Sequence, residues 1–155
     1  MTANPDLTTQ IYQVFIKTTP ERIWQAITEP DQTLLYFHGA RITNTPDRHI
    51  ALGPDGSTWG DGAVLEWDPP RRLVHEWRSL YDPELAAEQP SRVIWDIEPH
   101  PGGLCLLTLT HDRLDGAPGT AKSVSGAGWT LVLSGLKTLL ETGTPLVDLA
   151  AGEQA

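Results

Sequence analysis

The segment from about Ala121 to Thr142 constrains the fold most, because it places apolar residues at helical spacing over about 22 residues. Its apolar arc consists of Trp129, Val132, Leu133, Leu136, Leu139 and Leu140. Gly143 gives this predicted helix an end. At about 33 Å, it is the only predicted element long enough to cover one face of a curved sheet.

The preceding sequence predicts strands and two short helices. The first strand is predicted at Ile11–Lys17, and one helix begins at Thr19-Pro20 and ends at Pro30. A second short helix is predicted at about Asp31 to Tyr36. The later strands are predicted at Ala40–Thr45, His49–Leu52, Thr58–Trp67, Leu73–Leu80, Arg92–Glu98 and Leu104–His111. Between Tyr81 and Pro90 we expect a loop with one helical turn, either a lid or a plain surface loop.

Apolar residues alternate on one side of these strands only, which is typical of an antiparallel sheet with one covered face. We therefore predict an α+β fold: a curved antiparallel sheet of about six to seven strands wrapped around a long C-terminal helix, with two short helices after the first strand. A helix held across a bent sheet leaves room at its ends, and a ligand pocket is expected there.

Composition limits the classes of function. With 155 residues, the chain is expected to form one domain over 10–146, with flexible termini at 1–9 and 147–155. Eleven basic against twenty acidic residues give a net charge of −9, which argues against nucleic acid and anionic membranes as partners. A single cysteine, Cys105, and a polar N-terminal decapeptide without an apolar core predict a cytoplasmic protein without a secretory leader.

Five segments together resemble the activator-of-heat-shock-protein-90-ATPase homologue family, within the START-like (SRPBCC) superfamily. These segments are 19–27, 62–77, 91–98, 107–112 and the pair Gly128-Trp129 with 136–141. The resemblance spans roughly residues 10–146 and implies the helix-grip fold. Two stretches depart from the family: 43–60 is longer, and Gly126-Ala-Gly-Trp129 replaces the usual Gly-Gly-Trp.

From this fold and resemblance we expect non-catalytic binding of a small hydrophobic or aromatic molecule between the sheet and the C-terminal helix. The ligand-binding residues are predicted to be Tyr36, Phe37, Trp59, His75, Trp77, Trp95, Leu109, His111, Trp129 and Leu133. Two alternatives stay open: a cyclase- or dehydratase-type enzyme, and a chaperone-associated protein-interaction domain. Chaperone activators of this family carry an additional N-terminal domain, and the chain resembles only their C-terminal domain. A homodimer is also left open.

The enzyme alternative depends on His75, His111 and Glu66, with Glu66 predicted to lie opposite His75 across a turn. The competing interpretation is that both histidines are hydrogen-bonded core residues. The five histidines and one cysteine lack the local spacing of a zinc site, so no metal is expected. No phosphate-binding glycine motif is present, and no cofactor is expected.

Overall fold

The computed structural model describes residues 8–125 and 127–147. Seven strands form one antiparallel sheet in the order β1-β7-β6-β5-β4-β3-β2. The strands are β1 (Gln10–Ile16), β2 (Arg41–Asn44), β3 (Arg48–Leu52), β4 (Thr58–Asp68), β5 (Arg72–Ser79), β6 (Ser91–His100) and β7 (Leu104–Asp112). The helices are α1 (Pro20–Thr28), α2 (Pro30–Thr33), α3 (Pro83–Ala86), α4 (Pro118–Val124) and α5 (Ala127–Thr142). The predicted α+β helix-grip architecture is therefore confirmed.

Local sequence explains where α1 begins. Thr19 is its N-cap, and its hydroxyl accepts a hydrogen bond from the backbone N–H of Arg22 at 3.3 Å. Pro20 occupies the first helical turn, where its missing N–H costs nothing. Ile23 and Ile27 are buried on the inner side of the helix, so α1 packs into the main core as its apolar spacing predicts.

The main core lies between α5 and the concave face of the sheet. Trp129 and Leu136 of α5 are buried against inward-facing residues of the central strands, among them Leu73, Trp95 and Leu107. Burial alternates strictly along β7, which contains Leu107. In β5 and β6, Val74 and Ile94 on the other face are buried as well.

The predicted helix over 121–142 is wrong as one continuous element. The structure has two helices, because Ser125 ends α4 with an extended backbone at φ −74° and ψ 174°. Low helix propensity of glycine near this point, in the sequence Gly126-Ala127-Gly128, favours the break. The long C-terminal helix is therefore the 16-residue α5. Gly126 and most of the predicted flexible termini (1–7 and 148–155) lie outside the described residues.

Candidate functional site

A cavity of about 370 Å³ lies between the first turns of α5 and strands β3 to β5. This is one end of the grip between helix and sheet, where the sequence analysis expects a pocket. Its described lining residues are Phe37, His38, Ala40, His49, Ala51, Trp59, Gly60, Trp77, Tyr81, Ser123, Val124, Gly128, Trp129 and Val132. None of these is Lys, Arg, Asp or Glu, so the cavity suits an uncharged, largely apolar molecule.

Aromatic rings form the deep part of the cavity. The ring of Phe37 meets that of Trp129 edge to face, with centroids 5.6 Å apart and planes at 89°. Trp77 lies 5.4 Å from Trp129, at 57°. His38 and Gly39 have positive φ angles of 55° and 78°, which form the tight turn directly after Phe37. These rings offer a bound molecule both aromatic faces and edges.

Two buried histidines hold two of the tryptophans in place. The indole N–H of Trp129 donates to Nδ1 of His111 at 3.0 Å, and His111 Nε2 donates to the Ser91 hydroxyl at 2.7 Å. The indole N–H of Trp95 donates to Nε2 of His75 at 3.2 Å. His75 Nδ1 in turn donates to the backbone carbonyl of Glu76 at 3.0 Å. Each histidine therefore acts as an acceptor for an indole and is fixed in one neutral tautomer.

Burial keeps these histidines uncharged. Burial lowers the pKa of His75 to about 4, and a hydrogen bond to the Glu76 carbonyl opposes this effect. Burial and repulsion from His75 lower the pKa of His111 to about 3, against an opposing effect of Asp112. Both ring nitrogens of each histidine are engaged, so neither ring has a free nitrogen for proton transfer to a substrate.

A third buried histidine, His49, belongs to the cavity itself. Its ring stacks on His75, with centroids 4.0 Å apart and planes at 10°, and on Trp77 at 5.6 Å. Its Nδ1 lies 2.8 Å from Oδ1 of Asn44. Burial, followed by the neighbouring His75, lowers the pKa of His49 well below 6.5. The ring is therefore neutral at physiological pH.

Polar side chains at the mouth of the cavity bond to each other. The hydroxyl of Tyr81, which follows β5, lies 2.8 Å from the hydroxyl of Ser123 in α4. The indole of Trp59 approaches the Tyr81 ring edge-on at 6.5 Å. This contact joins the segment before α3 to the end of α4 across the opening.

The structure divides the ten predicted ligand-binding residues into two groups. The residues that line the cavity are Phe37, Trp59, Trp77 and Trp129. The residues that lie outside it are Tyr36, His75, Trp95, Leu109, His111 and Leu133. Tyr36 is turned inward to donate to the Ala26 carbonyl at 2.7 Å, and the two histidines sit behind the rings they support.

The predicted pairing of Glu66 with His75 is wrong. From the turn onward, Asp68 pairs with Arg72 and Glu66 with Val74, so Glu66 lies on the other face of the sheet from His75. Beyond a bulge between Val64 and Glu66, His75 is opposite Val64. Glu66 is exposed and accepts a hydrogen bond from Arg72 Nε at 2.6 Å. Glu66 therefore does not reach His75, and the acid–base pair of the enzyme alternative does not form.

His49, Ala51 and Val132 are the main residues that sequence reasoning missed. The sequence does contain an indication for the first two, because His49 and Ala51 alternate with Arg48 and Ile50 on a five-residue strand. In the described part of the chain, no three His, Cys, Asp or Glu side chains are grouped as metal ligands. Within the same residues, no helix is long and apolar enough to cross a membrane.

Comparison with known proteins identifies the family. The family model described as activator of Hsp90 ATPase homolog 1-like protein matches residues 17–141. The chain belongs to this family. The matched region includes β3 to β5 and the first turns of α5, which together form the cavity. No curated protein shows a significant match.

Solved structures share the fold at low sequence identity. MLL2253 from Mesorhizobium loti is 22% identical, with a TM-score of 0.69, over 85% of this chain and 96% of that protein. CalU16 from Micromonospora echinospora is 20% identical, with a TM-score of 0.66, over 87% of this chain and 77% of that protein. DynU16, from the dynemicin biosynthetic locus, is 23% identical, with a TM-score of 0.70, over 89% of this chain and 49% of that one. These similarities show the fold alone.

Proposed function

We propose that the protein binds a small hydrophobic or aromatic molecule in the cavity between the sheet and α5, without transforming it. The observation that carries this proposal is the cavity of about 370 Å³, whose deep part is formed by the rings of Phe37, Trp77 and Trp129. Small-molecule sites in proteins have volumes of about 300–1,000 Å³ and mostly apolar linings. The DynU16 relative comes from a biosynthetic locus, which supports a small molecule as the partner.

The positions of the rings support binding to a preformed site. Trp129 is fixed by its bond to His111, and Trp77 donates from its indole N–H to the Ser79 hydroxyl at 3.2 Å. A site whose rings are already held loses little conformational entropy when a ligand enters. The engaged nitrogens of His75 and His111 favour a binder over an enzyme. We also propose that the protein acts in the cytoplasm, in keeping with its one buried free cysteine.

A neutral fluorescent probe tests the proposal directly. N-phenyl-1-naphthylamine gains emission in apolar surroundings, and we expect it to bind one site per chain. Val124 lines the cavity at the end of α4, so Val124→Trp should fill the opening and weaken probe binding at least tenfold. Leu131→Trp is the matched control, because Leu131 is an exposed apolar residue of α5 outside the cavity.

Probe binding that is equal in Val124→Trp and Leu131→Trp would place the probe elsewhere and contradict the proposal. The same conclusion follows if the unmodified protein binds no probe. Far-ultraviolet circular dichroism of both variants checks that each is folded.

A further inference from the structure

His49 is the one deeply buried polar side chain among the described residues that line the cavity. It is 2% exposed, whereas His38, Tyr81 and Ser123 are exposed at the mouth. A polar group buried this deeply costs free energy unless a partner satisfies it. His49 therefore marks the position in the cavity where a ligand's polar atom gains most.

The hydrogen bonds around His49 fix which ring nitrogen carries its proton. Asn44 Nδ2 donates to the backbone carbonyl of Ile27 at 2.7 Å, so the amide oxygen of Asn44 must face His49. That oxygen can only accept, and His49 Nδ1 at 2.8 Å must therefore carry the hydrogen. In the neutral ring, Nε2 is left as a pure acceptor.

The other nitrogen of His49 has no hydrogen-bond partner among the residues that the structure describes. Within residues 8–125 and 127–147, no hydrogen bond to Nε2 of His49 is found, in contrast to the fully engaged rings of His75 and His111. His49 lines the cavity, and its Nε2 is not one of the inaccessible side-chain atoms without a partner, so a bound molecule can reach it. An acceptor open to a mostly apolar cavity selects for a ligand that carries an O–H or N–H group. The lack of basic side chains in the described lining disfavours a carboxylate.

We propose that the natural ligand is a neutral aromatic hydrogen-bond donor of the phenol class, whose hydroxyl donates to Nε2 of His49 while its ring packs against Trp77 and Trp129. This inference rests on the proposed function and adds the ligand's chemical class. A ligand without the hydroxyl leaves Nε2 of His49 buried and unsatisfied, so the protein discriminates against it.

Displacement of N-phenyl-1-naphthylamine by four naphthalene derivatives tests this class. We expect 2-naphthol to bind roughly tenfold more tightly than naphthalene and 2-methoxynaphthalene, which is the effect of one hydrogen bond at a buried acceptor. The two donorless compounds are smaller and larger than 2-naphthol, so size alone cannot produce this order. 2-Naphthoate should bind more weakly than 2-naphthol by at least tenfold.

A histidine variant assigns the preference to its residue. In His49→Phe the ring is retained and the acceptor is lost, so 2-naphthol and 2-methoxynaphthalene should bind equally. His100→Phe is the matched control, because His100 lies outside the cavity, and it should keep the tenfold preference. If His49→Phe does not fold, the ligand series in the unmodified protein decides the question.

The possible failures are distinguishable. Equal binding of 2-naphthol and 2-methoxynaphthalene to the unmodified protein, or tighter binding of 2-naphthoate, overturns the phenol class while the cavity's function stands. A preference that survives in folded His49→Phe also overturns it. If neither the fluorescent probe nor any naphthalene derivative binds, the proposed function itself fails.

Discussion

Acid should destabilise this protein through its three buried histidines. His49, His75 and His111 are 2%, 1% and 0% exposed. Burial lowers the pKa of His49 well below 6.5, that of His75 to about 4 and that of His111 to about 3. Repulsion from His75 adds to the effect on the other two.

The sign and size of the effect follow from proton uptake. As the pH falls below about 6.5, the unfolded chain protonates these histidines, whereas in the folded chain His75 and His111 stay mostly uncharged at pH 5 and burial opposes the protonation of His49. The unfolded state then binds more protons, so the free energy of unfolding falls with pH. Between pH 7 and pH 5, His75 and His111 each lower the free energy of unfolding by about 2 kcal/mol. His49 changes it in the same direction. Together His75 and His111 remove about 4 kcal/mol, a large part of the roughly 5–15 kcal/mol typical of a domain.

The variant His111→Gln removes one of the three titrating histidines, so it measures the contribution of His111 to the pH dependence of stability. A glutamine can accept from the Trp129 indole and donate to the Ser91 hydroxyl, but it does not titrate. Near pH 5 we expect the free energy of unfolding to change with pH less steeply in the variant than in the unmodified protein, by about 1.4 kcal/mol per pH unit. Urea unfolding at pH 7.0, 6.0, 5.5 and 5.0, followed by circular dichroism, measures both slopes.

Val93→Ala is the control for this experiment. Val93 is buried and lies opposite His111 in the strand register. Its truncation should lower the free energy of unfolding at every pH, without changing the slope. The reasoning is refuted if His111→Gln retains the full slope of the unmodified protein.

Two further predictions concern contacts around the cavity. Trp129→Phe leaves Nδ1 of His111 without its hydrogen-bond donor, so the free energy of unfolding should fall by about 1–3 kcal/mol. Urea unfolding at pH 7 measures this change. An unchanged urea midpoint would contradict the role assigned to His111. The Glu88 carboxylate accepts hydrogen bonds from the backbone N–H groups of Gly119 and Thr120 at 2.7 and 2.9 Å, and so caps the start of α4. Glu88→Ala should therefore speed amide hydrogen exchange at the start of α4 more than the control Glu84→Ala does. Equal exchange in the two variants would count against the cap.

The sequence predicts the strands well because their inner face is buried almost without interruption. In β7, buried Cys105, Leu107 and Leu109 alternate with partly exposed neighbours, and such a pattern predicts a strand with one buried face. The beginning of α1 is equally local, since the Thr19 cap and Pro20 act within one turn. These features depend on interactions between residues that are close in the sequence, so one sequence is enough to predict them.

Features that depend on distant partners could not be predicted in the same way. The register of the β4–β5 hairpin pairs Glu66 with Val74, whose side chain lies on the other face of the sheet from His75, and alternation on each strand does not reveal which residues of the two strands pair. Burial of His75 and His111 followed from strand phase, but their role as acceptors for indoles requires the positions of Trp95 and Trp129 on other elements. The backbone break at Ser125 is also invisible to the apolar arc, which begins at Trp129.

The cavity residues show the same limit. Trp77 and Trp129 were predicted as lining because they are large and face inward, and the same reasoning wrongly included Leu109 among the cavity residues. Whether an inward side chain meets a void or another side chain depends on volumes summed over several elements. His49 lies on a short strand in a stretch that departs from the family pattern, so the resemblance does not assign it. Its alternation with Arg48 and Ile50 indicates an inward side chain but not a cavity.

A crystal structure of the protein grown with saturating N-phenyl-1-naphthylamine tests the central claim most directly. The account predicts one probe molecule between β3–β5 and α5, in contact with Phe37, Trp77 and Trp129, with these rings close to their present positions. A cavity that stays empty at saturation, or that closes as the rings pack against one another, would contradict it.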